Sequence, residues 1–460
     1  MSETKNNSVC YEKQTVFQKV SKEIIDAAYD YAKGYAAFLD ASKTEREAVC
    51  ESIRIAEEAG YRPYTFGMSM KAGDKLYFNN RGKNLFLFKI GTEPINEGIR
   101  ITGAHIDSPR LDLKQVPVYE EADLCYLKTH YYGGIRKYQW LAMPLALHGV
   151  VVKQSGEVVN ITVGENETDP VMYITDLLPH LAANENAKTV SQAFQGEKLN
   201  LLVGSRPYEG EEKEAVKLGV LNYLFETYGI TEEDFLSAEL SVVPAGKARD
   251  VGFDRSMICG YGHDDRVCAY PSLTAMIDAD ESLHTTMCIL IDKEETGSDG
   301  VTGMQCDLAM DLIREISNAL GGNEAAVRAA SKCLSSDVAA IFDPAFADVF
   351  EKRNAALLNC GVAMCKFTGA RGKSGTSDAS AELVAWVRRV LNEAGVVWQS
   401  CELGKIDIGG GGTIAKYMAN HNIDTLDLGV GVLSMHAPYE VISKADLYEA
   451  YRAFRAFYNY

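Results

Sequence analysis

From Ser21 to Ala59 apolar and polar residues recur at helical spacing in a stretch rich in Ala, Glu, Lys and Tyr, and the pattern breaks near Asp40 to Lys43. Two helices are predicted, with Asp40-Ala41-Ser42 offering a cap before Glu45. Between Lys75 and Ile90, aromatic and aliphatic residues flank Asn79-Asn80-Arg81-Gly82, which is hairpin chemistry. The run Ile99 to Ala104 then reads as a strand that delivers His105. From about Lys114 to Val243 short β-branched and apolar runs recur between polar stretches, at Val150 to Val152, Val158 to Val163 and Leu199 to Val203. Beyond Val243, strand candidates at Thr285 to Ile291, Val338 to Phe342 and Thr425 to Val430 alternate with amphipathic stretches. Those stretches, at Ser272 to Glu281, Ala379 to Glu393, Thr413 to Asn420 and Ala445 to Phe457, predict helices. The alternation predicts an α/β fold, a mostly parallel sheet with helices on both faces. Residues 1–113 and 244–460 would form this discontinuous domain, interrupted by an inserted β-rich domain of residues 114–243. Open α/β sheets place their sites beyond the carboxyl ends of strands.

At 460 residues the chain is too long for one ordinary core, which agrees with two domains. A 47% hydrophobic and 24% charged composition is that of a folded chain, and no low-complexity tract interrupts it. The formal net charge of −18 disfavours phosphate backbones and anionic membrane surfaces, so neither nucleic acid nor a membrane is expected as a partner. The first residues carry no apolar segment of the signal-peptide kind, and no run approaches the ~20 apolar residues of a membrane helix. A cytoplasmic protein is expected. The eleven cysteines are scattered and odd in number, no C-x-x-C pair exists, and Cys360 and Cys365 have the wrong spacing for a zinc knuckle. Reduced thiols are the expectation.

Five distant segments carry side chains that a pair of metal ions requires. In His105-Ile106-Asp107 an extended backbone points both polar groups to one face, and Asp107 is placed to hold the second imidazole nitrogen. One carboxylate of Asp264-Asp265 can bridge two ions held ~3.5–4 Å apart. Glu294 and Glu295 follow an apolar strand and precede small residues, so one can bind metal while its neighbour takes the proton of an attacking water. Asp337 offers a carboxylate for one ion, and His436 a terminal ligand for the other. The run Gly409-Gly410-Gly411-Gly412-Thr413 offers backbone N–H groups to an oxyanion or substrate carbonyl, in a sequence that is neither a Walker nor a Rossmann fingerprint.

Taken jointly, Ala104-His105-Ile106-Asp107-Ser108-Pro109, Asp264-Asp265, Asp292-Lys293-Glu294-Glu295-Thr296-Gly297-Ser298, Ser335-Ser336-Asp337 and Ser434-Met435-His436 resemble the aspartyl aminopeptidase family, which includes vacuolar aminopeptidase I. The resemblance runs from about Phe17 to the C-terminal helix. It implies a dinuclear zinc-aminopeptidase-like fold, with Co2+ or Mn2+ as possible substitutes for Zn2+. His105, Asp337, Glu295 and His436 would be ligands, Asp264 the bridge, Glu294 the general base and Asp107 the residue that orients His105. It further implies that the inserted domain dimerises, that subunits build a dodecamer, and that His180 is lent to a neighbouring subunit's active site. This chain has Asp264-Asp265 where relatives commonly show Asp-Asn, and Glu294-Glu295-Thr296-Gly297 where they show Glu-Glu-Val-Gly. Peptides are the expected substrates, with a neutral, broad or acidic N-terminal preference. A dinuclear carboxypeptidase or deacylase, and a non-catalytic peptide-binding oligomer, remain open at this level.

Overall fold

In the computed structural model, which describes residue 9 and residues 11–279 and 283–460, the first amphipathic stretch forms the helices Lys22–Asp40 and Glu45–Glu58. The cap between them is Thr44 rather than the Asp40-Ala41-Ser42 turn. Its hydroxyl accepts the Glu47 N–H at 3.3 Å, and the Glu47 carboxylate accepts the Thr44 N–H at 2.9 Å. The hairpin follows as Lys75–Asn80 paired antiparallel with Asn84–Lys89.

The hairpin joins a nine-stranded mixed sheet. At its centre Thr285–Ile291, Ile99–His105, Lys332–Ser335 and Asp424–Gly429 run parallel side by side. The hairpin pairs antiparallel on one flank, and Val362–Cys365 antiparallel on the other. Every residue of Thr285–Ile291 is buried, because side chains that alternate across the pleat meet helices on both faces. Leu290 and Leu426 pack with Tyr35, Leu273 and Phe454 on one face, whereas Met287 and Ile289 pack with Leu312, Ile316 and Met418 on the other.

Residues 110–244 supply a separate seven-stranded sheet with a core of its own around Leu111, Trp140, Leu147 and Leu240. Ala238–Pro244 pairs with both Arg110–Glu121 and Pro144–Val152, so the strands close on themselves. The helix Ala215–Tyr228, which no sequence pattern announced, packs on this sheet. A third sheet of five strands includes Met257–Gly260, Gly431–Leu433 and Glu440–Ser443.

Some predicted elements shift. The strand expected at Val338 to Phe342 is only Ala339–Ala340, and the helix expected after Thr413 is Ala415–Asn420. The helix expected from Ser272 begins earlier, at His263, and ends at Asp278; Glu281 lies outside the described residues. Asp264 and Asp265 are buried at the entry to this segment, where their backbone angles are non-helical, and the regular helix follows them.

Candidate metal centre

Two sheets deliver the polar side chains to one place. His105 closes a central strand, the turn Glu294–Thr296 follows its parallel neighbour, and Asp337 lies two residues beyond Lys332–Ser335. Asp264 and His436 come from the third sheet, after Met257–Gly260 and Gly431–Leu433 respectively. Asp264 occupies the middle. Its Oδ1 lies 3.0 Å from His105 Nε2, and its Oδ2 lies 3.2 Å from His436 Nε2. Asp337 Oδ1 stands 3.8 Å from His105 Nε2, and Glu295 Oε2 stands 3.6 Å from His436 Nε2. The ligand atoms of His105, Asp264 and Glu295 gather within 4.8 Å of one another, as do those of His105, Asp265 and Asp337. Asp265 differs from Asp264 in that its Oδ2 accepts the His105 backbone N–H at 3.3 Å.

The imidazole tautomers follow from what the outer nitrogens touch. His105 Nδ1 lies 2.9 Å from the Asp107 carbonyl oxygen and 3.3 Å from its Oδ1, and His436 Nδ1 lies 2.8 Å from the Gly134 carbonyl oxygen. Each Nδ1 therefore carries a hydrogen and donates it, and each Nε2 is the atom that faces the carboxylate oxygens. Without an ion each Nε2 keeps a proton there, because, burial notwithstanding, the facing carboxylates raise both histidines, and a bound cation would take that proton's place. Asp265 Oδ1 and Glu295 Oε1 are also buried without a hydrogen-bond partner. Burial and the neighbouring Asp337 push the Glu294 carboxyl up to about 8, and burial with the Asp264 charge holds Glu295 well above the usual range. Burial opposes charge on His436, yet Asp264 and Glu295 raise it to about 10. Two imidazoles among acidic oxygens are a donor set that zinc accepts, and the crowding requires positive charge, so these residues fit divalent cations.

Relatives of known kind share this arrangement of chain. Residues 38–458 match the family model described as aminopeptidase I zinc metalloprotease (M18). The chain belongs to the M18 family. A probable M18 family aminopeptidase 1 from Clostridium acetobutylicum is 49% identical, over 98% of this chain and 99% of that protein. The crystal structure of an M18 aminopeptidase from Thermotoga maritima superimposes with a TM-score of 0.94 at 44% identity, covering 98% of this chain and 100% of that one. A yeast mApe1 dodecamer shares the fold, with a TM-score of 0.76 at 21% identity over 94% of this chain and 97% of that one. The protein is thus a metal-dependent aminopeptidase, a zinc metallopeptidase that hydrolyses peptide bonds, and the carboxypeptidase and non-catalytic alternatives fall away.

In this M18 chain the carboxylates open onto a cleft of about 410 Å³ whose other walls include Val338, Ala339, Leu403, Met435 and the loop Gly410 to Thr413. Gly410 has φ +105°, and a Cβ there would lie 1.9 Å from the Gly369 carbonyl oxygen, so only glycine lets this loop pack. Glu294 lines the cleft half-buried. Asp107 stands behind it, where its carboxylate accepts the N–H groups of Glu294 at 3.1 Å and Glu295 at 3.2 Å. Burial alone would raise Asp107, but His105, Tyr132 and Arg110 hold it below its ordinary value. His180 stands elsewhere, exposed on the turn Pro179–Leu181, and among the described residues it has no hydrogen bond or ion pair to the cleft.

Sequence reasoning missed two positioning groups. Glu440, fully buried, accepts the Asp264 N–H at 3.0 Å and the His436 N–H at 2.7 Å with its two oxygens. Its only sequence signal is its place four residues after His436. Tyr132, on a strand of the other unit, donates its hydroxyl to Asp107 Oδ2 at 2.8 Å, and nothing in the local sequence announces that contact.

Proposed function

We propose that the cleft holds two divalent ions, Zn2+ most simply, with Asp264 as the bridge, His105 and Asp337 on one side, and His436 and Glu295 on the other. The carrying observation is that the two oxygens of Asp264 face separate imidazoles. Bound there, the ions would polarise the scissile carbonyl and lower the pKa of the attacking water toward ~7. Glu294 takes the proton of that water and passes it to the leaving amine. Asp107 keeps the hydrogen of His105 on Nδ1. The Gly410 to Thr413 loop lines the cleft, where its backbone N–H groups would be available to the substrate carbonyl. The acidic lining favours a peptide whose terminal amine is free and positively charged.

For the first residue, the apolar walls Val338, Leu403 and Met435 support a neutral or broad preference. Lys366 and Lys373 share the single carboxylate of Asp378, at 2.5 and 3.0 Å, which offsets one of their two charges. An acidic preference has one observation in its favour, since Lys416 lines the cleft and its Nζ lies 4.7 Å from the Tyr417 ring centroid. Peptides beginning with Asp, Glu, Leu, Met and Lys separate the two readings.

Residues 114–243 are read as an inserted dimerisation domain within a homo-oligomer, a dodecamer built from dimers. Leu177, Leu178 and Leu181 around His180 are 46%, 49% and 66% exposed, which supports burial of that turn against a second subunit and delivery of His180 to its cleft. Ten described cysteines carry free thiols, in keeping with a cytoplasmic setting, and among the described residues no helix is long and apolar enough to cross a membrane.

The test is Glu294→Gln. The variant retains two equivalents of zinc and loses turnover by ~10²-fold or more; near-normal hydrolysis of peptides with free N-termini refutes the assignment.

A further inference from the structure

One short segment of the second unit touches His436 directly and, through Asp107, the support of His105. The strand Leu124–Tyr132 ends on Tyr132, whose hydroxyl donates to the Asp107 carboxylate, and the other oxygen of that carboxylate lies 3.3 Å from His105 Nδ1, beside the Asp107 carbonyl oxygen at 2.9 Å. Two residues later the Gly134 carbonyl oxygen accepts the hydrogen of His436 Nδ1. The turn is itself fixed. The Arg110 guanidinium lies 4.0 Å from the centroid of the Tyr132 ring and is held by Asp112 at 2.8 Å and Glu45 at 3.3 Å. Gly133 adopts φ +70°, and a Cβ on it would come within 3.3 Å of Glu295 Cβ. A Cβ on Gly134 would stand 3.3 Å from His436 Nδ1, so the imidazole packs directly on the backbone of the turn.

We infer that Tyr132 and Gly134 are positioning residues for two different ions: Tyr132 acts through Asp107 on the ion held by His105, and Gly134 on the ion held by His436. This inference rests on the two-ion reading above. Its physical content is that a histidine ligand whose outer nitrogen has a fixed acceptor presents one tautomer and one ring orientation, and that loss of such a partner weakens metal binding by ~10–100-fold. Because the turn leaves the second unit, seating of that unit against the catalytic sheet sets the affinity of the whole centre. Tyr132→Phe removes the donor but keeps the ring under Arg110. Gly134→Ala keeps the carbonyl but crowds the His436 ring, at a glycine whose φ an alanine can adopt.

The experiment uses full-length protein titrated with a chromophoric zinc chelator, with the absorption spectrum of the Co2+-substituted form and kcat and KM measured in parallel. Two equivalents in the unaltered protein test the two-ion reading, and a single equivalent sinks that reading whatever the variants do. Given two, each single variant is expected to weaken one ion by ~10–100-fold, leave the other near its original affinity, change the Co2+ spectrum, and recover kcat at saturating zinc. In the double variant both ions weaken, because the two losses fall on separate sites. Tyr131→Phe, an exposed neighbour on the same strand, leaves both affinities unchanged. Unaltered affinity in both single variants, or a double variant that weakens the same single ion as each of them, overturns the inference.

Discussion

His148→Ala is a perturbation whose effect should depend on pH with a definite sign. His148 is buried on the strand Pro144–Val152, with Nδ1 2.8 Å from Glu47 Oε1 and Nε2 3.0 Å from Glu165 Oε1. Glu47 belongs to the helix Glu45–Glu58 of the catalytic sheet's layer, so the imidazole fastens the two units together. Both nitrogens must carry hydrogens to donate to both carboxylates, so the ring is an imidazolium here. Burial opposes that charge, but Glu165 and Glu47 outweigh it and raise the histidine above its ordinary value. Nearby, Lys43 Nζ donates to the Pro244 and Gly246 carbonyl oxygens and pairs with Glu165 at 3.4 Å. Two charge-assisted hydrogen bonds contribute about 1.5–3 kcal/mol each. Glu47 and Glu165 side chains retain 28% and 17% exposure, so water partly compensates their loss and the lower end, ~3 kcal/mol in total, is expected. A raised folded-state value means that the stabilisation is fully present below the unfolded histidine value of ~6.5 and is lost as pH rises through the folded value. Amide hydrogen exchange by mass spectrometry on peptides covering residues 40–50 and 144–165 measures it, with variant and parent compared at each pH. About 150-fold loss of protection is expected at pH 6, shrinking as pH rises. A difference that stays constant up to pH 10, or grows, refutes the imidazolium bridge.

Glu440→Gln supplies one acceptor where Asp264 and His436 require two, so one buried N–H is left unpaired at ~1–3 kcal/mol, and zinc affinity read by chelator competition should fall ~5–150-fold. Gly429→Ala would set a Cβ 1.9 Å from the Asp337 carbonyl oxygen, so the Asp337 segment must move; ~1–3 kcal/mol of stability and most of one zinc equivalent should be lost, as seen by denaturation and metal analysis. Chelation should make stability pH-dependent, because burial and neighbouring charge raise Glu294 to about 8 and His436 is raised to about 10. Both shifts have the sign that loses stability as pH rises, so the chelated protein should weaken between pH 6 and 10 while the zinc-loaded protein stays flatter; parallel curves in thermal unfolding exclude this.

What could be read in the sequence was whatever lies next to its partner along the chain. His105 and the Glu294-Glu295 pair were legible because each follows an apolar run that is buried on both faces, and a polar residue at such a strand's end is conspicuous. The choice between Asp264 and Asp265 was not legible, since adjacent carboxylates differ only in where the non-helical backbone at the start of His263–Asp278 aims them. Asp264 turns toward both imidazoles, and Asp265 turns back to the His105 backbone. Ala215–Tyr228 escaped because Val216, Leu218, Val220, Leu221 and Leu224 spread apolar positions around the helix and mask its period. Val338 to Phe342 read as a strand on composition, yet it pairs with Gly431–Leu433 only at Ala339 and Ala340.

The division of labour among the sheets explains why the centre needs three of them. Parallel neighbours present His105, the Glu294 turn and Asp337 from one direction, at a spacing set by backbone pairing. Such strands cannot also supply groups from the opposite side of a metal ion, where further ligands would be needed to enclose it. The third sheet meets that demand with Asp264 and His436, and Glu440 on its strand Glu440–Ser443 ties their two N–H groups to one carboxylate. His105 Nδ1 is held by Asp107, just past the end of the catalytic strand, whereas His436 Nδ1 is held by the Gly134 carbonyl oxygen of the β-rich unit. The β-rich unit thus reaches the centre at two points, the Tyr132 hydroxyl on Asp107 and the Gly134 carbonyl oxygen on His436. A chain cut free of residues 114–243 would therefore keep every proposed ligand of the two ions and still bind metal poorly.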